Sequence, residues 1–315
     1  MAQSVEARPN TSPEVKTWRG PVLLTRSAFH DGSLLENRLG LQLARVLTMN
    51  IDYARRRRVV DPDLRPYVEA YQRDGAFTVE DFLPADVFAQ VRAEAEAAYG
   101  NGAPFKSEVV EDNSVIEEIL PLKKVRDRFP VTVEHVEQSE RIARLASALV
   151  RVPDIGRIKV EVSYMHKSKD APPPIRLVGS NYIHADVHYP SLKAWLLLDD
   201  VDEHNGAFVY AKGSQRLTLA RLAYEYDASV RVAKSKDDGT FRTTIPYGFV
   251  RMPTDRQLRR MGIRETALGG RPNTLVVASV MGFHRRGEFD EDRWRKQLAI
   301  TFDDRPEKPK PKAKR

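Results

Sequence analysis

Residues 178–198 read VGSNYIHADVHYPSLKAWLLL. Two apolar runs, 178–187 and 192–198, are bounded by Gly, Pro and Asp, and the pattern predicts two short strands. Residues two apart on a strand share a face, so His184 and Asp186 would point the same way with Ala185 turned aside. Working outward, 156–166 (GRIKVEVSYMH), 206–211 (GAFVYA), 274–284 (TLVVASVMGFH) and 295–303 (RKQLAITFD) read as strands of the same kind. Short strands late in a chain, preceded by helices, predict a mainly β fold, an antiparallel barrel or sandwich braced by flanking helices.

The helices are signalled nearer the start. Ser33-Leu34-Leu35-Glu36 forms a capping box. Beyond it Leu35, Leu39, Leu43, Val46, Leu47, Ile51 and Ala54 recur at spacings of three and four, predicting one helix whose apolar stripe packs on the core and which ends in Arg55 to Arg58. A second helix is expected from Pro84 to Tyr99, with Phe88, Val91, Ala95 and Ala98 on one face and Gly100 just beyond. The polar stretch from Asp227 to Glu265 lacks clean periodicity and reads as a lid insertion. The expected organisation is a disordered segment over 1–20, a helical extension over 21–70, the β domain over 71–304 with its lid at 227–265, and a basic disordered tail over 305–315.

Composition narrows the function. The 315 residues carry no cysteine, which removes disulfides, thiolate metal sites and cysteine nucleophiles, and leaves any metal to His, Asp or Glu. The formal charge is +7, but RPEKPKPKAKR at 305–315 holds six positive charges and one negative, leaving +2 for everything before it. That distribution predicts no specific nucleic-acid binding. Arg55 to Arg58 and the tail are instead the candidates for weak contact with a membrane surface. The polar, Pro-interrupted start and the absence of a long apolar run predict a cytoplasmic protein.

A histidine and an aspartate on one strand face are two ligands of an incomplete metal site. His284, on a later predicted strand, would complete the two-histidine, one-carboxylate triad that leaves three neighbouring positions of a non-haem Fe(II) open, two for a 2-oxo acid and one for dioxygen (O2). Arg295 lies eleven residues further on, at the start of the next apolar strand. Its planar two-pronged guanidinium suits the far carboxylate of 2-oxoglutarate; the alternative is a surface arginine on a basic strand, with Arg293 and Lys296 beside it. His188 shares the face of Asp186 and reads as a neighbour of the site, because a fourth ligand would close it. Asn181 and Tyr182 precede the motif and are candidates to touch 2-oxoglutarate or to pair within the barrel.

Ordered motifs extend this reading. Asp74-Gly75-Ala76-Phe77, Asp81-Phe82-Leu83, His184-Ala185-Asp186-Val187-His188-Tyr189-Pro190, Lys193-Ala194-Trp195, Asn205-Gly206-Ala207, Gly213-Ser214 and His284 with Arg295-Lys296 occur in that order. Across residues 72 to 303 the chain resembles the phytanoyl-CoA dioxygenase-like 2-oxoglutarate oxygenases. It departs at Lys212 and Gln215, where that family usually has proline and histidine, and in the run RRGEFDEDRW after His284. The resemblance implies a double-stranded β-helix of the jelly-roll, cupin-like type, and Fe(II), 2-oxoglutarate and O2 as cofactor and co-substrates. It also implies a place for Trp195 in the co-substrate pocket, and a hydroxylase acting on a small-molecule substrate while 2-oxoglutarate is converted to succinate and carbon dioxide. The cations Arg231, Lys234, Lys236 and Arg242 of the insertion would favour an anionic substrate. Two other readings compete: a non-catalytic metal-binding jelly roll, and a membrane-peripheral oxygenase acting on a lipid or glycolipid precursor.

Overall fold

The computed structural model describes residues 32–56, 59–110, 115–168, 182–238 and 252–302. The expectations for residues 1–31, for Arg57 and Arg58, for Asn181, for Arg242 and for the basic tail therefore lie outside the described residues. Ten strands are described: β1 (Ala76–Val79), β2 (Lys106–Val110), β3 (Val115–Pro121), β4 (Ile158–Lys167), β5 (Leu192–Leu197), β6 (Phe208–Ala211), β7 (Glu265–Leu268), β8 (Leu275–Ser279), β9 (His284–Arg286) and β10 (Trp294–Phe302). They form a seven-stranded sheet, β1-β8-β5-β10-β4-β3-β2, and a three-stranded sheet, β7-β6-β9. Every pairing is antiparallel. Two such sheets laid face to face make the jelly roll that the strand pattern and the resemblance predict.

Alternation along β10 explains how the large sheet divides its labour. Leu298 and Ile300 point outward into a core with Val160, Val162, Leu196 and Val277. That core is closed by helices α3 (Arg65–Asp74), α4 (Ala85–Gly100) and α5 (Glu140–Val150). Arg295, Gln297 and Ala299 alternate to the inner face, in register with Met165, Ser163 and Glu161 of β4. On β5 the same register puts Trp195 opposite Ala299, and Trp195 reaches across to Phe208 of the small sheet with ring centroids 4.3 Å apart. The outer face is thus the apolar core and the inner face is the lined interior.

Four expectations change. The run 274–284 is two strands, not one: β8 ends at Ser279, a turn follows, and β9 begins at His284 in the other sheet. The run expected as a strand over 178–187 is an irregular segment where described, touching the small sheet through one bridge, His184 opposite His284. The reciprocal amide bonds of that bridge, 2.9 and 2.8 Å, replace a continuous ladder. Third, residues 227–237, assigned to the insertion, form the second half of helix α6 (Leu219–Asp237), which buries Ala228, Ser229, Val232 and Ala233.

The fourth change is at the front of the chain. The Ser33–Glu36 capping box is present and starts helix α1 (Leu34–Arg38), but Gly40 at φ 93° breaks the expected single helix before α2 (Leu41–Arg55). Both helices pack on α6, but through a face that shares only part of the predicted stripe. Asn37, Gln42, Arg45 and Val46 are buried, while Leu35 and Leu39 are 67% and 80% exposed. The cause is polar: Gln42 Nε2 donates to Glu225 of α6 at 3.1 Å in a buried contact, and leaving that carboxylate against leucine would cost far more than exposing two leucines.

A two-histidine, one-carboxylate centre in the sandwich

His184, Asp186 and His284 each offer one ligand atom, and these atoms all lie within 4.8 Å of one another. His284 enters from β9 and His184 from the segment bridged to it, so the main-chain bridge sets the two rings side by side, with centroids 4.6 Å apart. Asp186 is anchored by its own amide, which donates to the Val280 carbonyl at 2.9 Å. Its Oδ1 lies 3.4 Å from His184 Nε2 and 3.6 Å from His284 Nε2.

The far side of each ring decides the tautomer. His184 Nδ1 faces the Tyr182 carbonyl at 2.7 Å and His284 Nδ1 faces the Gly282 carbonyl at 3.0 Å. A carbonyl only accepts, so both Nδ1 atoms carry a proton, and Nε2 of each ring, which faces Asp186, is the atom that would give its lone pair to a metal. Burial opposes ionisation of Asp186, yet the two imidazoles and the Lys193 ammonium outweigh it and hold the carboxyl well below the usual range. Burial pushes His284 the other way, down from the ordinary imidazole value, against the pull of Asp186. Two imidazoles and one carboxylate, each oriented by a backbone group, are a donor set that fits a divalent first-row metal such as Fe(II).

Two residues that sequence reasoning passed over complete the surroundings. Lys193 Nζ donates to Asp186 Oδ2 at 2.7 Å, which occupies the second carboxylate oxygen. Phe208 packs between Trp195 and His284, 5.2 Å from the latter ring. The available signal for Lys193 was its alternation with Trp195 on an otherwise apolar strand. Beneath the triad, Arg221 of α6 supports the turn that delivers His284. Its guanidinium donates to the Met281 carbonyl at 2.8 Å and the Ser214 carbonyl at 2.7 Å, and pairs with buried Glu225. Ser214 Oγ in turn accepts the Phe283 amide at 2.7 Å.

Arg295 lies in the interior, 7% exposed, on a floor formed by Val115, Met165 and Phe289. It donates to the Gly206 carbonyl and contacts Met165 Sδ, and its Nε has no partner among the described residues. Burial, with Arg286 close by, pulls its pKa down to about 10. Gly206 is held at φ 75°, and a Cβ there would fall 2.0 Å from the Phe289 ring, so the Asn-Gly turn is what lets Arg295, Gly206 and Phe289 meet. Arg293 lies on the surface, paired with Asp202 at 2.9 Å.

Three further candidates lie nearby in the sequence. Tyr182 is off any strand, 43% exposed, and its carbonyl faces His184 Nδ1. His188 is buried, packed edge-on to Tyr189. Gln215 donates to the carbonyls of Tyr71 and Gln72 at the end of α3, a structural task.

Residues 71–243 match the phytanoyl-CoA dioxygenase (PhyH) family. No curated protein matches the chain. Among solved structures the chain is similar to the non-heme alpha ketoglutarate dependent epimerase SnoN from nogalamycin biosynthesis, at 20% identity and a TM-score of 0.51, covering 77% of this chain and 84% of that one. A second SnoN structure, in complex with Fe3+, alpha ketoglutarate and nogalamycin RO, gives 17% identity, a TM-score of 0.53 and the same coverage. AviO1 from Streptomyces viridochromogenes Tue57 follows at 17% identity and 0.49, covering 81% of this chain and all of that one. At these identities the likeness is one of fold.

Proposed function

The chain belongs to the phytanoyl-CoA dioxygenase family, and from that premise we propose that it is an Fe(II)- and 2-oxoglutarate-dependent oxygenase that hydroxylates a small molecule. The observation that carries the reading is the convergence of His184, Asp186 and His284 within 4.8 Å, with both imidazoles turned by backbone carbonyls to present Nε2. His184, Asp186 and His284 would hold the iron, and Arg295 the far carboxylate of 2-oxoglutarate. When bound, the iron supplies open positions for the 2-oxo acid and dioxygen, and couples decarboxylation to succinate with oxidation of a substrate C–H bond.

The protein's own contribution is orientation and exclusion. Lys193 engages Asp186 Oδ2 and leaves Oδ1 turned to the histidines. Phe208 and Trp195 wall the histidine side with apolar rings, which keeps water from the reacting face. Arg295 offers a fixed, desolvated cation in the interior, where its pull on an anion is stronger than at a surface. Asp186, as a ligand, fills the position a halide would need, which favours hydroxyl transfer.

Anaerobic titration tests the assignment. One Fe(II) per chain is expected, and Asp186→Ala should abolish substrate-dependent succinate formation. Undiminished Fe(II) binding in a His184→Ala, His284→Ala double variant would defeat it.

A further inference from the structure

Helices α1 and α2 carry their polarity the wrong way round for a layer facing water. At about 3.6 residues per turn, the side of α2 turned to α6 holds Gln42, Arg45 and Val46, all buried, and the opposite side holds Ala44, Leu47, Ile51 and Ala54. Leu47 and Ile51 are 42% and 48% exposed. Helix α1 repeats the arrangement, with Asn37 inside and Leu35 and Leu39 outside. The polar side is tied inward, since Gln42 bonds Glu225 of α6, so the leucines cannot roll under. What borders them is basic. Residues 32–58 hold six arginines and two acids, and both acids are engaged: Glu36 closes the capping box on Ser33, and Asp52 pairs with Arg56. Arg38 and Arg55 are exposed beside the stripe, and Val59, 97% exposed, follows the arginine run. An apolar stripe alone would suit another protein surface. A stripe without acids, bordered by arginines, matches anionic headgroups over an acyl layer.

We propose that α1 and α2 dock the protein on an anionic lipid bilayer, with Leu35, Leu39, Leu47 and Ile51 entering the boundary between headgroups and acyl chains and with Arg38 and Arg55 meeting lipid phosphates. Among the described residues no helix is long and apolar enough to cross a membrane, so these two lie along its surface. The docking face and the triad are joined through α6: Gln42 bonds Glu225, Glu225 pairs with Arg221, and Arg221 holds the Met281 carbonyl ahead of His284. The proposal goes beyond the oxygenase reading and stands or falls without it.

The test is co-sedimentation of the full chain with vesicles of phosphatidylcholine alone and of phosphatidylcholine mixed with phosphatidylglycerol. Wild type should bind the mixed vesicles, less so at high salt, and leave the neutral ones. Leu47→Asp with Ile51→Asp should weaken binding by about a hundredfold, roughly tenfold for each side chain kept out of the apolar layer, with the unfolding midpoint unchanged because both side chains already face outward. Arg38→Gln and Arg55→Gln should each weaken it by about fivefold. The basic tail is present in every variant, so binding that survives Leu47→Asp with Ile51→Asp belongs to the tail and overturns the proposal. The chain has no cysteine, so a nitrobenzoxadiazole label on Ile51→Cys reports this position alone: its emission should shift to the blue on mixed vesicles, and bound protein with unshifted emission overturns the proposal too. So does a wild type that ignores both vesicles, and a dimer in solution that Leu47→Asp breaks would then assign the stripe to a second copy of the chain.

Discussion

Arg221 and Arg295 are both buried arginines, and they are buried in opposite ways. Arg221 is closed within the protein: Glu225 neutralises it, two carbonyls accept its remaining protons, and Phe283 covers it at 4.4 Å. Arg295 is left open, with one carbonyl, one sulfur, an Nε that has no partner among the described residues and a second guanidinium as neighbour. A charge satisfied internally holds a fold together, whereas a charge held short of satisfaction is a place for a ligand.

The largest effect expected from this contrast is on stability. Arg221→Met strands the Glu225 carboxylate, and breaking such a pair costs about 3–5 kcal/mol. Urea denaturation should show that loss, with 2-oxoglutarate affinity of the folded fraction little changed. Adding Glu225→Leu should return part of it, short of the whole because Gln42 then loses its acceptor. A stable Arg221→Met protein that no longer binds 2-oxoglutarate would reverse the two roles.

Arg295→Lys should do the opposite. It keeps the charge and loses the fork, so 2-oxoglutarate binding should weaken by about 1.5–3 kcal/mol with metal affinity and unfolding midpoint nearly intact. Arg293→Lys should change neither, since that side chain is 47% exposed and ends on Asp202. Impairment by Arg293→Lys alone would move the anchor.

The smallest effect sharpens the place of the triad between the two extremes. Burial holds His284 below its ordinary value, so the unfolded chain takes up its proton first on acidification. Its contribution to metal-free stability is therefore complete above about pH 6.5 and is lost as pH falls through the lower folded value, at no more than about 1.4 kcal/mol per pH unit. Asp186, held low, contributes above about pH 3.9 and loses that only in stronger acid. Unfolding curves between pH 7 and 5 should show the first effect, and His284→Gln should flatten it. An unchanged slope in the variant would assign it elsewhere.

How much of this was legible depended on what fixes each feature. His184, Asp186 and His284 could be read from residue type and order, although the strand expected to carry the first two is irregular; the bridge to His284 does the work assigned to that strand. Arg295 was singled out by its place at the start of an apolar run, and it is the alternation of β10 that turns it inward. The stripe of α1 and α2 was read as core because periodicity finds two faces without saying which is buried, and Gln42 faces Glu225, 183 positions away in the chain. Helix α6 was missed because the face it buries holds Ser229, Glu225 and Ser235 among small apolar residues.

The bridge between His184 and His284 has one more consequence. Among the described residues it is a single bridge, tied by reciprocal bonds and backed only by the Asp186 amide on the Val280 carbonyl. A slip by one position would bring Ala185 or Arg285 opposite the partner and turn a histidine out of the cavity. Alignment here is all or nothing: the same two amide bonds that close this edge of the small sheet also gauge whether a metal centre exists, so slow hydrogen exchange at residues 184 and 284 would report a competent site without any metal added.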